Sequence, residues 1–394
     1  MRSPFPATPQ PGWLPGRRTM TSDLQIFSTE LAEPTPYYLG EEIEAQLPGV
    51  LSPLECDRCF LVTSRPLYER MGRGLAQRLR QAGLPLRVIL VGDGEREKSW
   101  KSLRRLGEAL VAGGATKDSL VLALGGGALG NLVGLAAALL YRGVRFVEIP
   151  TTLMALTDST LSNKQAINGR RGKNLFGSYH APVLIWGDVA YARSEPERQR
   201  RAGVVEGIKN LLITGQSIAD TRPLLDAWRS SDLLRLTRCL IESKLPILRA
   251  DPSERGSAII LEYGHTFGHA IEWLCQGSLF HGEAISIGLC LAAELSNSLG
   301  WAPDELVREH YELLGDSLGT PTRLPAEISP RLLLETMQRD NKRSRKGLGY
   351  LLLRGWGQFV NPEGDRQTKV DDELVLKLLS QLSSPPPPRL KSAR

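Results

Sequence analysis

The sequence predicts two domains of different class, an α/β domain with a parallel sheet over residues 21–190 and a mainly α-helical domain over residues 191–384. Three observations predict this division. Short apolar runs alternate with amphipathic stretches up to about residue 150, the pattern of parallel strands and their crossover helices. From about residue 202 onward helical periodicity continues without strand-like runs between. A glycine-rich turn, Gly125-Gly126-Gly127, joins an apolar run to a helix-like one. At 394 residues the chain is long enough for two separate cores.

The first domain is built in order. Residues 60–63 form a buried strand, and 67–82 a helix. Residues 86–91 form a second strand and 100–112 a helix. Residues 119–124 form a third strand running into the glycines, 129–141 a helix, and 144–149 a fourth strand. Ligands of such sheets bind at the carboxyl ends of the strands. In the second domain 202–214, 233–247, 257–274, 283–299 and 332–340 carry helical spacing. With candidate ligands in both halves, the active site is expected in the cleft between domains.

Charge and composition exclude several functions. The tails, residues 1–20 and 381–394, hold six basic residues and no acid, which accounts for the whole net charge of +6. The body carries no basic run with interleaved aromatics, so nucleic-acid binding is not expected. The proline-rich tails at 1–20 and 385–394 have a disordered composition, and Met20 is an alternative start. Residues 119–141 are uncharged and long enough to span a bilayer, but Gly125-Gly126-Gly127, Gly130 and Asn131 interrupt them. A buried strand, turn and helix are expected there, with no membrane partner. No secretory leader is recognisable at the N-terminus. Five scattered cysteines fit a reducing cytoplasm, and Cys56-x-x-Cys59 is read as structural.

Three of the five histidines lie in two short segments, Gly264-His265-Thr266-Phe267-Gly268-His269 and Phe280-His281-Gly282-Glu283. Neutral imidazole is the commonest protein ligand for catalytic metals. His265 and His269 are four residues apart and share a helix face, and His281 begins an element that returns beside them. Capping and packing explain such a pair equally well, so the metal reading stays open at this point. His310 stands apart as a surface or core residue. Glu206 is the carboxylate candidate, since Val204, Val205, Ile208 and Leu211 surround it and Lys209 neighbours it on a helix. The glycine turn suits a phosphate at a helix N-terminus, although a tight strand-to-helix turn needs the same residues. The polar stretch 150–177 follows a buried strand. It offers Lys164, Lys173 and Asn174 to a phosphate or sugar-like ligand.

Taken together the segments resemble the sugar phosphate cyclase superfamily, which includes the dehydroquinate synthases. They are the glycine turn, Arg142-Gly143, Pro150-Thr151-Thr152, Asp158 to Lys164, Gly172-Lys173-Asn174, Gly203 to Glu206 and Lys209, Gly264-His265 to His269, and His281-Gly282-Glu283. They occur in the family's order over roughly residues 55–355. The resemblance implies a dehydroquinate synthase-like fold, with a nucleotide-binding α/β domain and a metal-binding helical domain. It implies a divalent metal, zinc or cobalt, on Glu206, His265 and His281, and moves His269 to the substrate phosphate. It implies NAD at Glu95, Lys98, Gly126, Gly127, Asn131, Thr151, Thr152 and Lys173. Substrate positions are Arg142, Asp158, Asn174, Lys209, Lys244, His269 and Lys342, with Arg142 reaching a neighbouring subunit's phosphate in a homodimer. Lys164 and Glu262 are the acid–base candidates, Glu262 one turn before His265 on the same helix face.

Departures from dehydroquinate synthase narrow the reading. Ala258 and Glu262 replace an Arg and an Asn that meet a substrate carboxylate, and Asn131 replaces an Asp. Asn131, Glu262 and Leu161-Ser162-Asn163-Lys164-Gln165-Ala166 are similar to the branch that converts glucose 6-phosphate to 2-deoxy-scyllo-inosose. The reaction implied is NAD- and metal-dependent carbocyclisation of a sugar phosphate, with phosphate elimination and the hydride returned within one turnover. Rivals are 3-dehydroquinate synthase or another sedoheptulose 7-phosphate-type cyclase, a metal-dependent polyol or alcohol dehydrogenase, and a non-catalytic sugar-phosphate sensor. Ser64 stands where an acid usually holds the adenosine ribose.

Overall fold

The computed structural model describes residues 25–28 (main chain only), 35–170, 172–338, 348–364 and 366–383. Both tails, the candidate start Met20 and the substrate candidate Lys342 lie outside the described residues. The chain divides into two compact units, Met1–Ala166 with Gly177–Ser194, and Ile167–Phe176 with Glu195–Arg394.

The first unit is organised on one sheet. Its strands are β1 (Gln25–Ser28), β2 (Pro36–Gly40), β3 (Cys59–Ser64), β4 (Leu86–Val91), β5 (Leu120–Gly125) and β6 (Arg145–Pro150). β7 (Lys164–Gly169) and β8 (Gly172–Tyr179) form a separate two-stranded sheet, of which Ile167–Phe176 belongs to the second unit, and β9 (Leu184–Asp188) returns to the first sheet. The main order is β1-β2-β9-β6-β5-β3-β4. Every pairing is parallel except that of β1 with β2. In register, Cys59 on β3 lies between Leu86 and Leu120. β3, β5 and β9 are buried throughout, as continuous apolar runs covered on both faces require.

The first unit's helices are α1 (Leu47–Leu51), α2 (Arg65–Leu67), α3 (Arg73–Gln81), α4 (Trp100–Ala112), α5 (Gly127–Leu139) and α6 (Leu153–Thr157). The expected helix at 67–82 is interrupted by a π turn, Tyr68–Gly72. Gly72 packs there so closely that a Cβ would lie 3.2 Å from Leu124 Cδ2. The uncharged stretch 119–141 is a buried strand, a turn and a helix, as expected, followed by a 3-10 turn. No described helix is long and apolar enough to cross a membrane. All five cysteines are free. The strands β1, β2, β7, β8 and β9 were not expected, because polar or proline-containing neighbours shorten their apolar runs.

The second unit is mainly helical: α7 (Glu197–Thr214), α8 (Arg222–Arg229), α9 (Leu233–Ala250), α10 (His265–Cys275), α11 (His281–Ser298), α12 (Asp304–Tyr311), α13 (Pro330–Met337) and α14 (Asp372–Ser383). The short strands β10 (Leu353–Gly355) and β11 (Gln358–Phe359) pair antiparallel. One expectation fails here. Residues 257–274 are not one helix, because Ser257–Glu262 is a 3-10 turn, Tyr263 is extended and Gly264 is left-handed at φ 76°. Glu262 is therefore not one turn before His265 on a shared helix face. The apolar spacing continues through the break, so periodicity does not reveal it. The glycine that permits positive φ does.

Candidate functional site

In the helical unit a buried helix and two close approaches assemble the site. α7 is buried on all sides from Ala202 to Ile213, which places Glu206 and Lys209 in the interior. A Cβ on Gly282, the second residue of α11, would meet the Ala202 carbonyl at 1.8 Å. A Cβ on Gly288 would lie 2.2 Å from the Gly264 carbonyl. Only glycine allows α11 to lie this near both α7 and the start of α10. The first turn of α11 is clamped by Glu283, which accepts from Arg198 Nε at 2.6 Å, Arg198 Nη2 at 2.7 Å and the Phe280 amide at 2.9 Å. His281 is the residue held at that turn.

The result is a convergence of four side chains. Glu206 Oε1 lies 3.6 Å from His265 Nε2 and 3.6 Å from His281 Nε2. One nitrogen from each of His265, His269 and His281 falls within 4.8 Å of the others. The His265 ring is 5.1 Å from that of His269, 81° apart, and 5.6 Å from that of His281. Each outer nitrogen is engaged: His265 Nδ1 meets the Tyr263 carbonyl at 3.1 Å, and His281 Nδ1 meets Glu272 Oε2 at 3.0 Å. An acceptor at Nδ1 keeps a proton there and turns Nε2 toward Glu206.

The donor set fits a divalent cation. Glu206 Oε1 is buried without a hydrogen-bond partner, while Oε2 accepts from Lys209 Nζ at 2.5 Å. Two bonds of about 2.0–2.2 Å meeting at a tetrahedral angle place their donor atoms about 3.4 Å apart, near the observed spacings. Burial raises the Glu206 pKa, but Lys209, His265 and His281 outweigh it and hold the carboxyl well below the usual range. For His281, burial opposes the charge, yet Glu272 and Glu206 push its pKa up to about 10. Glu272 is likewise held low: burial works against its charge, and His281 and Lys173 overcome that.

Two of the predicted site residues have their ammonium groups engaged within this unit. Lys209, expected at the substrate, has its ammonium on Glu206 Oε2 and the Leu261 carbonyl, with a side chain only 2% exposed. It orients the carboxylate. Lys173, expected at the cofactor, bonds Glu272 Oε1 at 2.5 Å within this unit. Lys244 is buried on α9, and Asn174 takes φ 52° with its amide on Asn168 Oδ1. Glu262 is half-buried at the end of its 3-10 turn. Sequence reasoning missed Glu272, although it lies on α10 seven residues after His265 and so on the same face. It also left His310 unassigned. His310 is fully buried, with Nδ1 on the Leu306 carbonyl and Nε2 3.0 Å from the Tyr263 hydroxyl.

The sheet unit holds the other candidates. Gly126 is the N-cap of α5 at the carboxyl end of β5, and the Thr151 amide bonds the Gly125 carbonyl at 3.0 Å, bringing in the end of β6. A Cβ on Gly126 would lie 3.3 Å from Thr152 Cγ2, and one on Gly127 2.8 Å from Ser159 Oγ. This bare backbone at the start of a thirteen-residue helix suits a dinucleotide phosphate. Thr152 caps α6 through the Ala155 amide, and Asn131 Oδ1 accepts from the Ala166 amide, so both also hold the turn. After β4, Lys98 is buried and lies 3.8 Å from Glu95. Ser64 closes β3 with its buried hydroxyl unpartnered. Asp158 starts the 3-10 turn Ser159–Leu161, Lys164 is exposed at the start of β7, and Arg142 is exposed at φ 67°.

Both halves of the chain match known proteins. The family models for the 3-dehydroquinate synthase N-terminal and C-terminal domains match residues 88–202 and 203–343. A 2-deoxy-scyllo-inosose synthase of Streptomyces kanamyceticus is 37% identical over 364 residues, covering 90% of this chain and 93% of its own. A 3-dehydroquinate synthase of Bradyrhizobium sp. is 35% identical over 356 residues, covering 86% and 90%. A crystal structure of 2-deoxy-scyllo-inosose synthase complexed with carbaglucose-6-phosphate, NAD+ and Co2+ superposes with a TM-score of 0.82 at 29% identity, covering 91% of this chain and 99% of that one. With both of its halves matched in order and full-length relatives above 30% identity, the chain belongs to the 3-dehydroquinate synthase family.

Proposed function

We propose that this chain is an NAD- and metal-dependent sugar phosphate cyclase that converts glucose 6-phosphate to 2-deoxy-scyllo-inosose with elimination of phosphate. The observation that carries the metal-dependent reading is Glu206 Oε1 facing the Nε2 atoms of His265 and His281 at 3.6 Å each. These three residues hold the divalent metal, zinc or cobalt, since the ligand set suits either. When bound, the cation polarises neighbouring sugar oxygens, and the nicotinamide accepts a hydride and returns it.

The chain's own groups do the rest. Lys209 fixes Glu206, leaving Oε1 toward the cation. His269, on the same face of α10 as His265, receives the substrate phosphate, and Lys244, Asn174, Asp158 and Lys342 bind the substrate beside it. Gly126, Gly127, Asn131, Thr151, Thr152, Glu95, Lys98 and Lys173 receive the dinucleotide, and Lys164 and Glu262 move protons. Arg142 reaches a second copy's phosphate in a homodimer. Its exposed neighbours Leu139 and Tyr141 support an interface there.

Substrate choice rests on Ala258 and Glu262 and on the 37%-identical relative. A carboxylate at residue 262 repels an acidic sugar, and a methyl group at 258 cannot pair with one. The 35% identity to a 3-dehydroquinate synthase favours the second reading, a heptulosonate phosphate substrate. The test is phosphate release from metal-loaded protein with NAD+ and either glucose 6-phosphate, sedoheptulose 7-phosphate or the heptulosonate phosphate of dehydroquinate synthase. Release is expected from glucose 6-phosphate alone, with no accumulation of NADH. Release only from the heptulosonate would replace the first reading by the second. Stoichiometric NADH would make the chain a dehydrogenase.

A further inference from the structure

Glu272 occupies an unusual junction. Its carboxylate is 10% exposed and accepts from two groups at once, Lys173 Nζ at 2.5 Å through Oε1 and His281 Nδ1 at 3.0 Å through Oε2. The two donors come from different elements, β8 and the first residue of α11, and both belong to the helical unit. Glu272 itself sits on α10, three residues after His269 and seven after His265, so one helix face carries all three. α10 and α11 can approach this closely only because Gly264, Gly268 and Gly288 stand where they cross.

We propose that Glu272 is a positioning residue that couples the metal centre to Lys173. The carboxylate does three things. It fixes the His281 proton on Nδ1, so Nε2 faces Glu206 Oε1. It sets the rotation of the imidazole about its long axis. It also holds the Lys173 ammonium, and that cation balances a charge which would otherwise sit buried beside His281. A neutral amide in place of the carboxylate loses the charge-assisted bonds to both partners. The backbone carbonyl of Tyr263 does the same work for His265. His265 Nδ1 meets a carbonyl of its own turn, and His281 Nδ1 meets a side chain that also holds Lys173. By linkage, whatever binds at Lys173 alters the metal affinity, and the metal alters affinity at Lys173 by the same factor.

The inference rests on the reading that Glu206, His265 and His281 hold a divalent cation. Its test uses the full chain and two ligands alone, Co2+ and NAD+. Glu272→Gln and Glu272→Asp are titrated with Co2+ by visible absorption, with NAD+ by intrinsic tryptophan fluorescence, and melted in the apo form. Glu272→Gln is expected to weaken Co2+ 10–100-fold, as loss of a carboxylate behind a metal-bound imidazole does. NAD+ is expected to weaken as well, and the apo melting temperature to stay within a few degrees. Glu272→Asp is expected to restore part of both affinities. Co2+ affinity of Glu272→Gln within threefold of the unchanged protein would overturn the proposal. So would a loss of affinity that merely follows a large fall in apo melting temperature in both variants. Failure of the underlying reading looks different, since the unchanged protein would then bind no stoichiometric Co2+.

Discussion

Glu148 on β6 and Glu206 on α7 are both buried carboxylates, one in the sheet unit and one in the helical unit, and their surroundings push their pKa values in opposite directions. Burial pushes the Glu148 pKa up to about 8, and its one offsetting partner is the neutral side chain of Gln165. Burial acts on Glu206 in the same direction, but Lys209, His265 and His281 reverse it. Desolvation alone thus gives a protonated, structural acid. Desolvation with a lysine and two imidazoles gives an anion with an oxygen left over for a cation. The difference teaches that depth does not make a carboxylate functional. The company it keeps decides.

The largest effect is expected from breaking the charged member of the pair. Glu206→Gln leaves the Lys209 ammonium buried without its counter-charge, which costs about 3–5 kcal/mol. Urea unfolding of the metal-free protein measures this, and a Co2+ titration on the same variant should detect no tight site. A variant as stable as the parent would mean that Lys209 sheds its proton and that the ion pair is not what holds Glu206. Glu148→Gln has the opposite sign. A raised folded-state pKa gives stability that is complete below about 4.5 and is lost as pH rises through about 8. The variant should match the parent near pH 4.5 and exceed it above pH 8 by roughly 5 kcal/mol. Parallel stability curves across that range would remove the comparison's other half.

A smaller effect sharpens the comparison with a buried base. His310 keeps its imidazole neutral, because burial pushes its pKa down to about 4 against the weaker support of the Leu306 carbonyl. For a lowered pKa the contribution is full above the unfolded value of 6.5 and is lost as pH falls through about 4. His310→Gln should flatten the stability profile in that window, where the parent loses up to about 3 kcal/mol relative to the variant. The difference between the two unfolding curves is the observable, since carboxylates elsewhere titrate in both. Retention of the parent's slope in the variant would show that His310 is not the group responsible.

Much of this was legible in the chain. The alternation of apolar runs and helices gave the parallel sheet, because strands covered on both faces need uninterrupted apolar sequence, and 86–91 and 100–112 fall where β4 and α4 are found. The candidates Glu206, His265, His269 and His281 do converge, and the order of their motifs was enough to pick out the family. Residue type and order are written in one dimension, and they determined which groups are available. Tertiary structure decided what each group faces. Gly264 broke the helix on which Glu262 had been set beside His265, since a local φ of 76° changes every side-chain direction after it. Lys209 faces Glu206 because α7 is covered on all sides. Glu272 met His281 and Lys173 only because α10, α11 and β8 pack together, a contact between residues 99 positions apart in the chain for the Lys173 bond. No periodicity encodes such a contact. It depends on how closely two helices approach, and glycines with no room for a Cβ set that distance.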